Sequence, residues 1–439
     1  MNAHVLALLM RPAPGQSSVL ALPAIAFALV TTLVLTVVGG AQAFWSWSDP
    51  DAGIYQALAA IALVLLIVPL ATLGGAAARL SARRRDERLS TLRLLGVSPA
   101  GVITATVLES TAVAATGAIV GVLGYLAITP LVGLIPFRGE ALGIASVVLA
   151  PLGIVAAVTV VVLLAGISAA VGLRRVIISP LGVRTRADVP KVHWIRAVVA
   201  VLVVASAFVI VQVFPGTAGL VVTIVVLAGI FAASLAVLNL IGPWALKVHA
   251  KAALRRAETP KRLLAARFVL DSPKAAWRQV SGIAMASFMA VFAGTGVALI
   301  DTASGPEASA NAALASDIRT GLIITLVASF LMVAVSVGVN QSSGVLDHRE
   351  LHRSLHFLGV PLEVVDAART RSVMAPLLFT AITSALCAGV LVFPLVGIAM
   401  VIAPLSLVTI VAVVAVGIGL VWLGVRVTRP LLASSFAAA

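Results

Sequence analysis

Long apolar runs separated by short charged segments organise this chain. No Asp, Glu, Lys or Arg occurs between Arg11 and Asp49, Asp51 and Arg79, Glu109 and Arg138, or Glu140 and Arg174. The same holds between Arg196 and Lys247, Arg278 and Asp301, Arg319 and Asp347, and Arg371 and Arg426. A helix crosses the hydrocarbon core with about 20 apolar residues. Two of the runs are too long for that, since fifty residues of helix at ~1.5 Å each reach roughly 75 Å. Each carries a turn signal near its middle, Phe214-Pro215-Gly216 in one and Phe393-Pro394 with Gly397 in the other, and reads as a hairpin of two helices. The pattern predicts about ten transmembrane helices, over 19–43, 54–78, 106–128, 142–171, 197–213, 218–244, 280–300, 320–344, 372–392 and 398–425. Lipid offers the backbone no hydrogen-bond partner, so the fold class is an all-α polytopic membrane protein.

The first run must also be weighed as a signal peptide, because Ala41-Gln42-Ala43 resembles a small-residue cleavage site. Its apolar stretch is longer than the ~7–15 residues of a signal core, which favours an uncleaved span. Composition agrees with a membrane chain: of 439 residues, 61% are hydrophobic and 10% charged, with mean hydropathy +1.16. The net charge of +14 does not indicate nucleic-acid binding, because the basic residues sit in blocks between apolar runs and aromatics are only 5%. The lone cysteine, Cys387, lies in an apolar run and reads as a small buried hydrophobe.

Basic residues set the orientation. With both termini cytoplasmic, only Arg138 and Arg319 of the 30 Lys and Arg fall outside. The longest outer loop, Asp301 to Arg319, is too short for a folded domain. The basic loops face the anionic lipid of the inner leaflet, so membrane lipids are expected partners.

Two cytoplasmic loops resemble each other. RDERLSTLRLLGVSPAGV from Arg85 and HRELHRSLHFLGVPLEVV from His348 align without gaps 263 positions apart. Glu87 falls on Glu350, Leu92 on Leu355, and Leu95-Gly96-Val97 on Leu358-Gly359-Val360. Pro130-Leu131-Val132-Gly133 recurs as Pro394-Leu395-Val396-Gly397, with one residue inserted. The chain therefore reads as two copies of one module, spans 1–4 in 1–175 and spans 7–10 in 261–439. A basic linker and a connecting hairpin, spans 5 and 6, occupy 176–260. Each repeated loop predicts a short amphipathic helix ending at a glycine C-cap, Gly96 or Gly359. Leu89, Leu92 and Leu95 form the apolar face of the first; Leu351, Leu355 and Leu358 form that of the second. Matching acidic residues in both copies favour docking into a partner's groove over lying on lipid.

The stretch Arg83-Arg84-Arg85-Asp86-Glu87-Arg88-Leu89-Ser90-Thr91-Leu92-Arg93-Leu94-Leu95-Gly96-Val97-Ser98 resembles the "R-R-x-E-x-x-x-L-R-x-L-G-A-S" segment of FtsX-like, or MacB-type, ABC transporter permeases. Glu109-Ser110 followed by Gly117, Gly121 and Gly124 is similar to that family's next span. In the second copy Glu109 falls on Ser372, a departure from the pattern. The ten-span plan resembles the bacitracin-export branch, without the large extracytoplasmic domain usual between spans 7 and 8. The resemblance implies a bacterial cytoplasmic-membrane permease subunit and a separate cytosolic ABC ATPase, two copies per chain. ATP hydrolysis would drive export or extraction of a hydrophobic or amphipathic compound, lipid or peptide. The short cytoplasmic helices would receive the ATPase's push. ATP and Mg would bind the partner alone, since this chain has no Gly-Lys pair and hence no Walker A loop. No cofactor, metal site or catalytic constellation is expected. The alternative is a non-transporting, ATPase-driven regulator of a cell-envelope enzyme.

Four further features stand out. His348, His352 and His356 share a helical face, where a polar or partner-facing stripe outweighs a metal site. Glu109 is the ionisable residue set within a span, either functional or paired with an arginine nearby. Gly117, Gly121 and Gly124 form a small-residue face for helix packing. Arg262 to Phe268 reads as an interfacial helix leading into span 7.

Overall fold

The computed structural model describes residues 17–49, 52–83, 99–178, 206, 220–303, 309–347, 351, 354–355, 357–402, 404–430 and 432–433. Nearly all are helical, and among them nine helices are long and apolar enough to cross a membrane. The chain is an all-α polytopic membrane protein. Apart from Ser206, the predicted span 197–213 and its Phe214-Pro215-Gly216 turn lie outside the described residues. The chain divides into two compact units, Met1–Asp188 and Val189–Ala439.

The first unit contains α1 (Ser17–Gln42), α2 (Ala52–Arg83), α3 (Pro99–Gly133), α4 (Ile144–Val147) and α5 (Pro151–Ile178). Between α3 and α4 lies a two-stranded antiparallel ribbon, β1 (Pro136–Phe137) with β2 (Glu140–Ala141). The ribbon precedes the segment predicted as the fourth span, 142–171, and α4 occupies its start, so that the spanning helix begins instead at Pro151. Arg138 and Gly139 turn the ribbon with φ of 55° and 80°. The second unit contains α6 (Leu220–Arg255), α7 (Pro260–Asp271), α8 (Pro273–Ala303), α9 (Ser309–Asp347), α10 (Leu362–Leu391), α11 (Phe393–Ile402) and α12 (Pro404–Arg426). Here α6, assigned from sequence to the connecting hairpin, packs on α7, α8 and α10.

Proline punctuates these helices. α5, α7 and α8 all open on one. The first turn has no partner for its N–H groups, so the missing N–H costs nothing there and the fixed φ favours the helix. The break in the long final run falls at Val392, where α10 ends; Gly397, read as part of that turn, lies inside α11.

Several helical hydroxyls are satisfied by their own helix. Thr31 Oγ1 donates to the Phe27 carbonyl, Thr129 to Tyr125, Ser234 to Ile230 and Thr295 to Val291, at 2.7–2.9 Å. This back-bonding lets a hydroxyl enter a dry helix bundle without an orphaned group. Outward faces carry large apolar side chains, among them Leu152, Val401 and Leu405 at 80% exposure or more, a surface suited to lipid.

Candidate functional site

In the first unit α1 packs along α3, and in the second α8 packs along α10. In the first unit that seam is set by glycine. A Cβ on Gly117 would lie 2.5 Å from the Ala24 carbonyl oxygen, and one on Gly121 2.6 Å from that of Ala28. One on Gly124 would lie 2.6 Å from Thr32 Oγ1. Backbones this close permit an interhelical bond, which Thr32 Oγ1 makes to the Gly121 carbonyl at 2.9 Å. Further along, buried Tyr125 donates its hydroxyl to the Val147 carbonyl and accepts from the Leu149 N–H, both at 2.8 Å. One phenol thus fastens both ends of the turn between α4 and α5. Glu109 lies at the other end of α3, half-buried beside fully buried Ser110.

At the ribbon end, Arg138 bonds Asp49 and lies over two rings, 4.1 Å from the Trp47 centroid and 4.6 Å from that of Tyr55. The Asp49 carboxylate raises the Arg138 pKa above its ordinary value, so the guanidinium stays charged. The cluster pins the α1–α2 connection to the ribbon.

The charged end of the second unit holds the described part of the second repeated loop. The Leu358 N–H bonds the Ser354 carbonyl at 3.1 Å, and the Val360 N–H reaches back to the Leu355 carbonyl at 3.0 Å. Gly359 between them has φ 75°. This is a Schellman ending, in which a left-handed residue lets the chain turn back and cap its own carbonyls. Leu355 and Val360 pack on Val345, Val365 and Leu432. Leu351, Leu355 and Leu358, expected to share one apolar face, thus divide: Leu355 faces the core, whereas Leu351 is 41% and Leu358 78% exposed. Phe357, not singled out from sequence, is 68% exposed beside them.

Behind this knob, α10 is tied to the end of α12. Buried Arg369 bonds Asp366 at 3.2 Å and reaches the Val425 carbonyl at 3.5 Å. Arg429 stands 3.6 Å from the other Asp366 oxygen. The sequence reading missed this triad because it began the span at 372, whereas the helix begins at Leu362. The i, i+3 spacing of Asp366 and Arg369 was the signal available.

Arg85, Glu87, Leu89, Leu92, Leu95, Gly96, Glu350 and the three histidines lie outside the described residues. Among the described residues no group of three or more His, Cys, Asp or Glu is arranged to hold a metal. No family model, curated protein or solved structure matches this chain.

Proposed function

We propose that this chain is the permease subunit of an ABC transporter of the FtsX-like, MacB-type kind, driven by a separate cytosolic ATPase. The observation that carries the reading is the knob at the charged end of the second unit. Leu351, Phe357 and Leu358 face outward, while Leu355, Val360 and the cap at Gly359 hold the segment in place. Large apolar side chains held outward among charged residues are anchors for a partner's groove. A push there enters α10 directly at Leu362 and passes to α12 through Asp366, Arg369 and Arg429.

A second line of support is the order of packing. In the first unit the first helix packs on the second and third, the second on the fourth and the third on the fourth; α8, α9, α10 and α12 repeat that scheme. Two modules of one design, each with a cytoplasmic foothold, suit a dimeric motor that closes symmetrically. The cargo class is a hydrophobic or amphipathic compound, lipid or peptide, and the setting is the bacterial cytoplasmic membrane with both termini inside.

The test is co-purification with the ABC ATPase encoded beside this chain, and the rate of ATP hydrolysis in the complex. The expected outcome is a stable complex that Phe357→Glu combined with Leu358→Glu disrupts, while the monodisperse membrane fold survives. Each anchor should cost at least about 2 kcal/mol of binding, or about thirtyfold. An unchanged complex with both glutamates in place would refute the assignment of this knob.

A further inference from the structure

The charged end of the second unit also holds a pocket, two of whose lining residues, Asp366 and Arg429, belong to the triad above. It has a volume of about 580 Å³ and lies between α10, the end of α12 and the start of α7. Lys261, Arg371, Arg426 and Arg429 line it, with Glu363 and Asp366 as its carboxylates. Asp366 is engaged by Arg369 and Arg429. Among the described residues no carboxylate pairs with Lys261, Arg371 or Arg426. Four cations against two carboxylates leave this hollow with an excess of positive charge, brought there from α7, α10 and the end of α12. Repulsion among them costs energy unless an anion sits between them.

The remaining wall identifies the anion's source. Trp422 lines the pocket at 40% exposure, with the Arg426 guanidinium 4.8 Å from its ring centroid. A tryptophan with one apolar and one polar edge belongs at the headgroup level of a bilayer. Met374 gives the pocket an apolar margin. Beside Trp422, Leu423 at 50% and, just past the end of α12, Val427 at 76% continue the exposed apolar surface. The pocket thus joins a cationic hollow to an apolar helix face at one depth, which a soluble anion does not require and a phospholipid does. Basic hollows between membrane helices on the inner side suit anionic headgroups.

We propose that this pocket binds the phosphate of an anionic phospholipid, with Arg371, Arg426 and Lys261 as the phosphate donors and Trp422 at the glycerol level. The site does not depend on the permease reading, because lipid binding is measurable without any ATPase.

The test uses the full chain purified in detergent and reads lipid retention by native mass spectrometry. The added lipids are phosphatidylglycerol or phosphatidylcholine, with inorganic phosphate as a separate arm. Wild type should retain phosphatidylglycerol preferentially. At about 1 kcal/mol, or about fivefold, per basic contact, Arg371→Gln with Arg426→Gln should lose about 25-fold. Arg255→Gln with Arg256→Gln removes the same charge from exposed positions outside the pocket and should retain the lipid. Glu363→Gln removes a carboxylate from the lining and should tighten retention, an outcome that a misfolded variant cannot produce. Equal retention of the two lipids, or equal loss in both double variants, overturns the proposal. Protection by inorganic phosphate with no lipid retained overturns the lipid as the source.

Discussion

Replacing Gly121 by alanine is the sharpest test of the seam in the first unit. The added Cβ would stand 2.6 Å from the Ala28 carbonyl oxygen and 2.7 Å from Thr31 Cβ. Neither neighbour is the tip of a flexible chain, so the helices themselves must part, by about 1 Å to regain a contact near 3.5 Å. That retreat stretches the 2.9 Å bond from Thr32 Oγ1 to the Gly121 carbonyl beyond its useful range. Overpacking costs about 1–3 kcal/mol, and an interhelical membrane hydrogen bond about 0.6–1.7 kcal/mol. Against this, alanine gains about 0.5–1 kcal/mol of helix propensity over glycine. The net loss is roughly 1–3 kcal/mol. Gly74 in α2 supplies the control: nothing lies within 4 Å of its added Cβ, so alanine there should be neutral or stabilising. The assay is unfolding of the purified chain by SDS titration in mixed micelles. Equal stability of the two variants would refute the argument that backbone contact sets this crossing.

The other predictions follow from buried polar groups and from the cap. Tyr125→Phe leaves the Val147 carbonyl and the Leu149 N–H without their partner and should cost about 2–4 kcal/mol, measured by the same titration. Asp366→Asn leaves Arg369 as a buried cation without its counter-charge and should destabilise by about 3 kcal/mol. Adding Arg369→Met to that variant should restore part of the loss, which a double-mutant cycle would read. Gly359→Ala forces a side chain into φ 75° and should cost about 1–2 kcal/mol, and under the proposed function it should also weaken capture of the ATPase.

How far the fold was legible in the sequence depends on which force decides each part. Charge-free runs mark lipid crossings because an ionised group in hydrocarbon is too costly, and each of the nine described crossings overlies one of those runs, although helices such as Leu362–Leu391 and Gly229–Arg255 extend past its charged end. The fourth departs for a different reason. Its run, free of charge from Glu140 to Arg174, includes residues of β2, α4 and the turn that Tyr125 holds. Hydropathy does not separate an apolar segment that crosses from one that folds back on its own unit. Gly397 misled for a related reason: a glycine in an apolar helix is tolerated in lipid, and the chain breaks at Val392 ahead of it.

The site was less legible, because its decisive features are pairings across elements. Gly117, Gly121 and Gly124 recur at helical spacing, so a close-packed face was readable; that Ala24, Ala28 and Thr32 of α1 meet it was not. The second repeated loop shows the limit of periodicity. Positions 351, 355 and 358 share one side of an ideal helix, yet Leu355 is drawn inward while Leu358 stands at 78% exposure. The cap decides this. The Schellman turn brings Val360 back onto Leu355, which commits that side of the segment to the core, and the residue just before Gly359 is left pointing away. Substituting Leu355 should therefore unseat the segment and lower stability, whereas substituting Leu358 should leave stability intact and act on binding alone. The two leucines separate folding from coupling, although a helical wheel treats them as equals.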